Sequence, residues 1–344
     1  MALNTGVISC IYGAWCEIMP LDLQRGLCTL PPEGPLLARV RGRLRQKERG
    51  RERHLLAVGD LVHYQIDPHN PEHFVIQDRL DRKNHILRSN EREQHILGSN
   101  LDRAALVMSL AEPQLRPGMV DRFLCACFQG AVQPVLIFTK SDLYDFEADV
   151  LQFKQLQAVY QSLGLATFTT NLLQPTSAAV RQLMSMLDTG RSLLCGFSGT
   201  GKSTLLNLLL GQQVQKTATI SKSTRKGRHT TTNSTLFLKS DSGAGIIDTP
   251  GVREWGLADL TKSDIWDCYP ELARFLGQCR FRNCEHTEDS LDCAVQDFLD
   301  QSLQQWLASS ATETCGSLRP GLQAGWMHPI RIKNLVQILN SLQG

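Results

Sequence analysis

The chain has 344 residues, of which 42% are hydrophobic, and its formal net charge is only +2. This length is typical of two or three globular domains. The N-terminus has no basic segment followed by an apolar one, and no run of about 18 apolar residues occurs, so neither a signal peptide nor a membrane span is expected. The 11 cysteines are scattered apart from one cluster, which favours reduced thiols in the cytoplasm over a disulfide framework.

The N-terminal quarter consists of short segments in which apolar and polar residues alternate, with Gly and Pro between them. This pattern predicts β-strands at 6–12, 36–41 and 61–66. The sequence Val58-Gly59-Asp60 predicts a tight turn. Several short strands without a helical period indicate a small β-barrel.

A stripe of arginines lies in this region at alternate positions, namely Arg39, Arg41, Arg43 and Arg45. On a strand, this spacing places four guanidinium groups on one face. Residues 39–53 hold eight basic and two acidic side chains in all, and such a cluster favours a polyanion such as RNA as its partner. The alternative is a solvated edge strand whose charges only resist aggregation.

From about residue 103 to residue 256, apolar strands alternate with helical patterns. The predicted strands are 104–108, 135–138, 192–195 and 244–247, and the predicted helices include 148–163 and 175–187. This alternation predicts a doubly wound sheet with loops at the carboxyl ends of its strands.

A phosphate-binding loop of the form G-x-x-x-x-G-K-[ST] lies between one of these strands and a helix that starts at Thr204. It comprises Gly196, Phe197, Ser198, Gly199, Thr200, Gly201, Lys202, Ser203 and Thr204. Its backbone N–H groups can surround phosphate oxygens. Lys202 would reach the β- and γ-phosphates as a catalytic cation, and Ser203 would hold Mg²⁺. The alternative, a chance glycine-rich turn, would not require this strand–loop–helix setting.

Two further elements indicate a guanine nucleotide. Asp248-Thr-Pro-Gly251 follows an apolar strand and looks like the D-x-x-G element of GTPases, with Asp248 near the metal and Gly251 facing the γ-phosphate. The second element lies upstream of the phosphate loop and comprises Thr139, Lys140, Ser141 and Asp142. The two oxygens of Asp142 can accept from N1–H and the exocyclic amine of guanine, whereas adenine offers no such pair. The stem of Lys140 can lie along the base.

A cluster of metal-ligand residues follows, with the pattern Cys279-x4-Cys284-x-His286-x6-Cys293. Three thiolates and one imidazole suit a closed tetrahedral zinc site. The short spacing allows one loop to supply all four ligands. Before this cluster, 257–276 is predicted to include a helix with an apolar stripe at Ile265, Tyr269, Leu272 and Phe275.

The motif order, with the base-reading element before the phosphate loop, is a circular permutation of the usual GTPase order. With these elements, the segment Gly227-Arg-His-Thr-Thr-Thr232 and the Cys/His cluster, the chain resembles the RsgA-type GTPases of small-ribosomal-subunit biogenesis, over roughly residues 55 to 295. The resemblance implies a circularly permuted P-loop GTPase fold of the α/β class. It implies an N-terminal OB-fold β-barrel in 1–84, the GTPase domain in 85–256 and a mainly helical zinc-binding domain in 257–344.

The resemblance also implies a mechanism. GTP with Mg²⁺ favours binding to the small (30S) subunit and its rRNA late in maturation, and hydrolysis stimulated by the subunit allows release. Val252 cannot orient water, and the resemblance makes His229 the candidate for that role, with an RNA-contacting or structural histidine as the alternative. Thr230 or Thr231 would complete the Mg²⁺ shell. We expect a cytoplasmic monomer with one structural Zn²⁺.

Two rival functions remain open from the residues alone. The first is a non-catalytic RNA-binding scaffold that only senses GTP. The second is a permuted GTPase that acts on the large subunit, against which the basic barrel and the zinc cluster both argue. Beyond Val295, a final amphipathic helix is expected, with Ile332, Leu335, Val336, Leu339 and Leu342 packed in the core.

Overall fold

The structure is a computed structural model that describes residues 3–22, 27–40, 56–89, 94–110, 112–113, 115–143, 147–211, 234–239, 244–249, 255–257, 259–310 and 327–342. The strands within these ranges are β1 (Asn4–Tyr12), β2 (Trp15–Asp22), β3 (Leu27–Cys28), β4 (Leu36–Val40), β5 (Leu61–Asp67), β6 (Asn70–Arg79), β7 (His85–Ser89), β8 (Gln94–Ser99), β9 (Arg103–Ser109), β10 (Gln133–Thr139), β11 (Ala166–Thr169), β12 (Arg191–Cys195), β13 (Thr235–Leu238) and β14 (Gly245–Asp248).

The described helices are α1 (Pro117–Gln129), α2 (Glu147–Ser162), α3 (Ala178–Leu187), α4 (Lys202–Leu210), α5 (Lys262–Asp267), α6 (Ala294–Ser310) and α7 (Pro329–Ser341). Two short 3-10 turns cover Ser141–Leu143 and Pro270–Leu272. Among the described helices, none is both long and apolar enough to cross a membrane.

The N-terminal strands form a closed barrel in the order β1-β5-β6-β4-β2, and β2 pairs with β1 again to complete the circle. All these pairs are antiparallel except β4 with β6, which is parallel. The inward residues pack into a small core of their own that includes Ile8, Ile18, Val62 and Ile76. A five-stranded barrel of this kind is the architecture of the predicted OB-fold.

The central sheet has the strand order β11-β10-β9-β12-β14-β13. Neighbours are parallel from β11 to β14, and only β13 runs antiparallel. Side chains alternate between two apolar clusters, so that Leu136 and Phe138 face one layer of helices while Val135 and Ile137 face the other. The doubly wound sheet is therefore confirmed. Its parallel strands all end at one edge.

The barrel joins this sheet where β1 pairs antiparallel with β13, and a buried carboxylate fixes the turn before β5. The carboxylate of Asp60 is fully buried and accepts hydrogen bonds from Ala57 N–H at 2.7 Å and Ser99 Oγ at 2.7 Å. The guanidinium of Arg82 donates to the same carboxylate through Nε at 2.7 Å and Nη2 at 2.8 Å. Because each donor comes from a different segment, this one carboxylate holds β5, β8 and the chain after β6 together.

The sequence predicts that 257–276 includes a helix, and this is confirmed, although the predicted apolar stripe continues beyond the helix. The helix α5 covers six residues, starts with a capping box between Thr261 and Asp264, and ends before Pro270. Proline cannot continue a helix because it lacks a backbone N–H and clashes with the preceding turn. The predicted apolar residues still face inward, and Phe275 stacks on Phe298 of α6 with ring centroids 4.2 Å apart.

The last helix, α7, packs against α1 through a buried polar network. Arg331 donates to Glu271 through Nε at 2.9 Å and Nη2 at 3.0 Å, and it also donates to Asp121 of α1. The second oxygen of Asp121 accepts from Asn334 at 2.7 Å. The predicted apolar stripe of this helix is correct for Ile332 and Leu335, whereas Val336 is 39% exposed and lies outside the core.

Acidification is expected to destabilise the C-terminal region through His328, the N-cap of α7. Its neutral Nδ1 accepts a hydrogen bond from Ile330 N–H at 3.2 Å, and burial lowers its pKa to about 4. The unfolded chain has an ordinary histidine pKa of about 6.5, so it binds more protons than the folded chain between those two values. The stabilisation that neutral His328 provides is therefore complete above pH ~6.5. The free energy of unfolding falls by about 1.4 kcal/mol for each pH unit from there down to the folded pKa of about 4.

The measurement is the urea unfolding free energy as a function of pH. The matched variant is His328→Asn, which keeps an acceptor at the N-cap but does not titrate. We expect the variant to lose this part of the acid dependence. An unchanged pH profile would contradict the assignment of the effect to His328.

Candidate functional site

The phosphate-binding loop occupies residues 196–201 between β12 and α4, as the sequence predicts. Gly201 caps α4 with a φ of 90°, a backbone conformation that favours glycine. At Gly196, a Cβ atom would lie 2.3 Å from the carbonyl oxygen of Val107 on β9, so only glycine fits. The loop therefore wraps closely against the neighbouring strand and leaves the start of α4 open to a phosphate.

The base-reading element lies beside this loop because only one strand, β9, lies between β10 and β12 in the sheet. The hydroxyl of Thr139 lies 2.6 Å from the carbonyl oxygen of Thr200 and 3.1 Å from that of Met108. Thr139 is buried, whereas Asp142, at the start of the following 3-10 turn, is exposed. A buried threonine thus ties the strand end to the phosphate loop and leaves the carboxylate of Asp142 available.

Two neighbours fix the conformation of this element. Lys140 has a positive φ of 57°, and its Nζ donates to the carbonyl oxygen of Glu112 at 2.5 Å. The N–H of Ser141 donates to the carbonyl oxygen of Thr170 at 3.3 Å. The end of β11 and the residue after it, Thr170, therefore lie next to the base-reading turn.

The metal-side aspartate and the phosphate-loop lysine meet directly. Lys202 Nζ lies 2.5 Å from Asp248 Oδ1, and both side chains are largely buried. The next residue, Thr249, is buried and donates its hydroxyl to the carbonyl oxygen of Leu194 at 2.8 Å. The carboxyl ends of β12 and β14 are thus held together, and the ion pair places Asp248 beside Lys202 at the start of α4.

One thiol near this site has no chemical role in it. Cys195 ends β12 immediately before the phosphate loop and is fully buried. Burial raises the pKa of its thiol to about 12. Cys195 therefore remains a neutral core residue rather than a nucleophile.

The predicted metal ligands converge in the C-terminal region. The ligand atoms of Cys279, Cys284, His286 and Cys293 all lie within 4.8 Å of one another. The Sγ atoms of Cys279 and Cys293 are 3.7 Å apart, and His286 Nδ1 is 3.4 Å from each of them. A tetrahedral zinc ion with Zn–S bonds of about 2.3 Å separates its ligand atoms by about 3.6–3.8 Å. These residues therefore fit a zinc ion in both number and spacing.

The metal site has supporting contacts that the sequence analysis missed. Gln296, in the first turn of α6, donates through Nε2 to the carbonyl oxygen of His286 at 2.6 Å and through its N–H to Cys293 Sγ at 3.5 Å. Trp266 packs edge-on against His286 with ring centroids 5.4 Å apart. The sequence signal for Gln296 is its place in the helix that starts directly after the predicted ligand Cys293.

Only one arginine of the predicted basic stripe lies in the described part of the chain. Arg39 lies on β4, its side chain is 48% exposed, and its Nη2 is 2.6 Å from Asp67 Oδ2. A hydrogen bond from His69 N–H, together with this guanidinium, lowers the pKa of Asp67. Arg39 is thus fixed at the barrel surface. The other stripe residues, Arg41, Arg43 and Arg45, lie outside the described residues.

The remaining predicted nucleotide-site residues also lie outside the described residues. They are His229, Thr230, Thr231, Gly251 and Val252. The described site thus consists of the base-reading element, the phosphate loop and Asp248. These three groups meet at one edge of the sheet, although they come from distant parts of the sequence.

Comparisons with known proteins agree with this geometry. The sequence model of the RsgA GTPase family matches residues 79–258. A small ribosomal subunit biogenesis GTPase RsgA of Flavobacterium psychrophilum is 31% identical over 304 residues, which cover 86% of this chain and 87% of the relative. The RsgA of Phocaeicola vulgatus is 36% identical over 251 residues, which cover 72% and 79% of the two chains.

Solved structures show the same fold. YjeQ from Thermotoga maritima superposes with a TM-score of 0.68 at 22% identity, over 100% of this chain and 99% of its own. YloQ, described as a circularly permuted GTPase, superposes with a TM-score of 0.65 at 19% identity, over 99% and 96% of the two chains. The permuted order of the motifs and the permuted fold are therefore confirmed. Since the family model spans more than half of the chain and the relatives cover most of it, the chain belongs to the RsgA GTPase family.

Proposed function

We propose that this GTPase binds the small ribosomal subunit and assists its late maturation, with hydrolysis that the subunit stimulates and that allows release. The observation that carries the proposal is the junction of the base-reading element and the phosphate loop through Thr139 and Thr200. This junction brings the base-reading element and the phosphate loop next to each other, which supports one shared guanine-nucleotide site. The relatives that match most of the chain carry the name of small-subunit biogenesis GTPases.

The residues of the nucleotide site have separate roles in this proposal. Asp142 accepts from the guanine N1–H and amine, the stem of Lys140 lies along the base, and the N–H groups of residues 196–204 surround the phosphates. Lys202 moves from Asp248 to the β- and γ-phosphates when GTP binds. A Mg²⁺ ion at this site would supply positive charge to the phosphates. Ser203, Asp248 and either Thr230 or Thr231 would hold it.

The base contact is tested by Asp142→Asn. This change replaces one acceptor by a donor that faces the guanine amine, and it should weaken GTP binding by about 1–3 kcal/mol. Xanthine carries a carbonyl oxygen where guanine carries that amine, so the variant should bind xanthosine triphosphate better than the unmodified chain does. The measurement is titration calorimetry with GTP, ATP and xanthosine triphosphate. Equal affinity of the unmodified chain for ATP and GTP would refute the assignment.

The Cys/His cluster is proposed to hold one structural zinc ion per chain. All four ligands come from residues 279–293, and Cys293 is almost fully buried. Such a closed set leaves no open position for substrate, as in structural rather than catalytic sites. Binding of the metal would therefore contribute directly to the stability of the region 257–344.

Replacement of one ligand, Cys284→Ser, should reduce the zinc content from one ion per chain to near zero. It should also lower the thermal midpoint of the C-terminal region while GTP binding persists, because the nucleotide cleft uses none of these residues. The matched control is Cys28→Ser in the barrel, which should change neither quantity. Zinc analysis of protein purified without chelators gives the answer, and a zinc-free unmodified chain would contradict the proposal.

The remaining parts have proposed roles in subunit binding. The barrel domain, 1–84, presents the stripe Arg39, Arg41, Arg43 and Arg45 to rRNA phosphates. The GTPase domain spans 85–256 and the zinc domain 257–344. We infer that the chain acts as a monomer in the cytoplasm, where ribosomal subunits assemble.

The overall function is tested by GTP turnover with and without purified small subunits. A clear increase in kcat is expected with the small subunit and none with the large one. A bound but non-hydrolysing chain would instead support the scaffold function.

If His229 positions the attacking water, His229→Ala should lower the stimulated kcat about 10²-fold or more at near-normal GTP affinity. Loss of subunit binding in this variant would make His229 a contact residue, and Lys202→Ala is the control that removes phosphate binding.

A further inference from the structure

The barrel surface carries a pocket that the proposed function leaves without an occupant. The pocket has a volume of about 300 Å³ and lies between β4, β6 and the turn that joins β5 to β6. Its walls include Arg39 and Val40 of β4, Asp67 at the end of β5, His69 of the turn and Val75 of β6. This volume is at the lower end of those that hold small organic ligands, and it is sufficient for one nucleoside.

The strand register places this pocket on the outer face of the barrel. Arg39 is paired with Val75 across β4 and β6, and their neighbours Ala38 and Ile76 are buried in the barrel core. Because side chains alternate along a strand, Arg39 and Val75 face outward. On the other side of β4, Arg39 is paired with Trp15 of β2, whose ring is half-buried. A cation and an aromatic ring therefore lie side by side next to the pocket.

The guanidinium of Arg39 is held in one orientation by Asp67. Arg39 Nη2 lies 2.6 Å from Asp67 Oδ2, and the other oxygen, Oδ1, accepts from His69 N–H at 3.0 Å. The carboxylate is almost fully buried, whereas the arginine side chain is 48% exposed. One edge of the guanidinium is thus fixed, and its other N–H groups and its planar faces remain for a ligand. A fixed planar cation of this kind is a surface on which a nucleobase can stack.

The charges in and around the pocket indicate the class of ligand. Arg39 and Asp67 neutralise each other, and Val40 and Val75 add apolar surface, so the pocket itself favours a neutral planar group over a phosphate. The sequence immediately after β4, residues 41–53, is strongly basic and favours phosphates. A strand of RNA offers both groups, because its bases can leave the stack while its phosphates follow the basic segment. The bases of a duplex are paired and stacked, so they cannot enter a pocket.

We propose that this pocket binds one unpaired base of single-stranded RNA, with the base stacked on the guanidinium of Arg39. The inference rests on the proposed contact between the barrel and rRNA and specifies the form of RNA that the barrel accepts. Asp67 acts as a positioning residue, because it holds the guanidinium without meeting the base. The imidazole of His69 and the amide of Gln77 also line the pocket, where they can meet the polar edge of a base.

The first test is Arg39→Lys in the full chain, which keeps the charge but removes the planar guanidinium. The probes are oligouridine, an abasic RNA of the same length, and an RNA duplex with the same number of phosphates. The unmodified chain should bind oligouridine about tenfold more tightly than either of the others, because one stacked base contributes about that much. The lysine variant should lose this preference, while the salt dependence of its binding stays the same because the charge is unchanged.

The second test, Asp67→Asn, separates a base-binding pocket from a surface that binds phosphates alone. Asparagine keeps an acceptor for the N–H of His69 but no longer holds Arg39 by charge. Because a carboxylate is removed, contacts to phosphates become tighter for all three RNAs alike. We expect the ratio of the oligouridine affinity to the abasic affinity to fall toward one, an effect that added positive charge alone cannot produce.

The matched control is Arg79→Lys at the end of β6, because Arg79 lies outside the pocket and donates to the carbonyl oxygen of Leu80 at 3.3 Å. The control should keep the preference for oligouridine. Equal affinity of the unmodified chain for oligouridine and abasic RNA would overturn the inference and leave the proposed phosphate contact in place. Binding to small subunits but to none of the three RNAs would point to a protein partner for this face and also overturn the inference. Only failure to bind small subunits would overturn the proposed function.

Discussion

The buried carboxylate of Asp60 is the interaction on which the turn between the barrel and the phosphate-loop strand depends. A buried charge is stable only when donors surround it, and its donors here come from Ala57, Arg82 and Ser99. The adjacent Gly59 has a φ of 97°, and its carbonyl oxygen accepts from Arg191 Nη1 at 2.8 Å. Arg191 begins β12, the strand that leads into the phosphate loop. The barrel is therefore fixed to the strand that positions the nucleotide.

A second buried network attaches the C-terminal region to α1. Arg331 of α7 pairs with Glu271 and with Asp121 of α1, and Tyr160 of α2 donates to the same aspartate at 3.1 Å. Removal of one partner from such a buried network leaves an uncompensated charge, which costs about 3–5 kcal/mol. The C-terminal region is thus attached to α1, a helix that packs on the GTPase sheet.

Local patterns predicted the parts of the fold that local chemistry determines. The phosphate loop, the apolar parallel strands and the Cys/His cluster each require particular residues at fixed spacing, so the sequence was sufficient. The Arg331 network was not predictable, because its partners are up to 210 residues apart and become neighbours only after folding. The helix α1 was also missed, since Asp121 and Arg122 interrupt its apolar pattern and only the structure shows that Asp121 is buried. The apolar stripe predicted for the helix in 257–276 continues past that helix, because Tyr269 and Leu272 pack in the core from turns.

The permuted order places the D-x-x-G segment shortly before the C-terminal region in the chain. Within it, Thr249 is buried and donates a hydrogen bond to Leu194 of β12. Downstream of it, Trp255 is buried against Phe123 of α1, and Leu257 is buried close by in the chain. Only residues 250–254 separate these two fixed points, and the chain then continues into the zinc-binding region. Because Trp255 packs on the same helix that Arg331 joins to α7, this one helix connects the chain after the D-x-x-G segment with the C-terminal region.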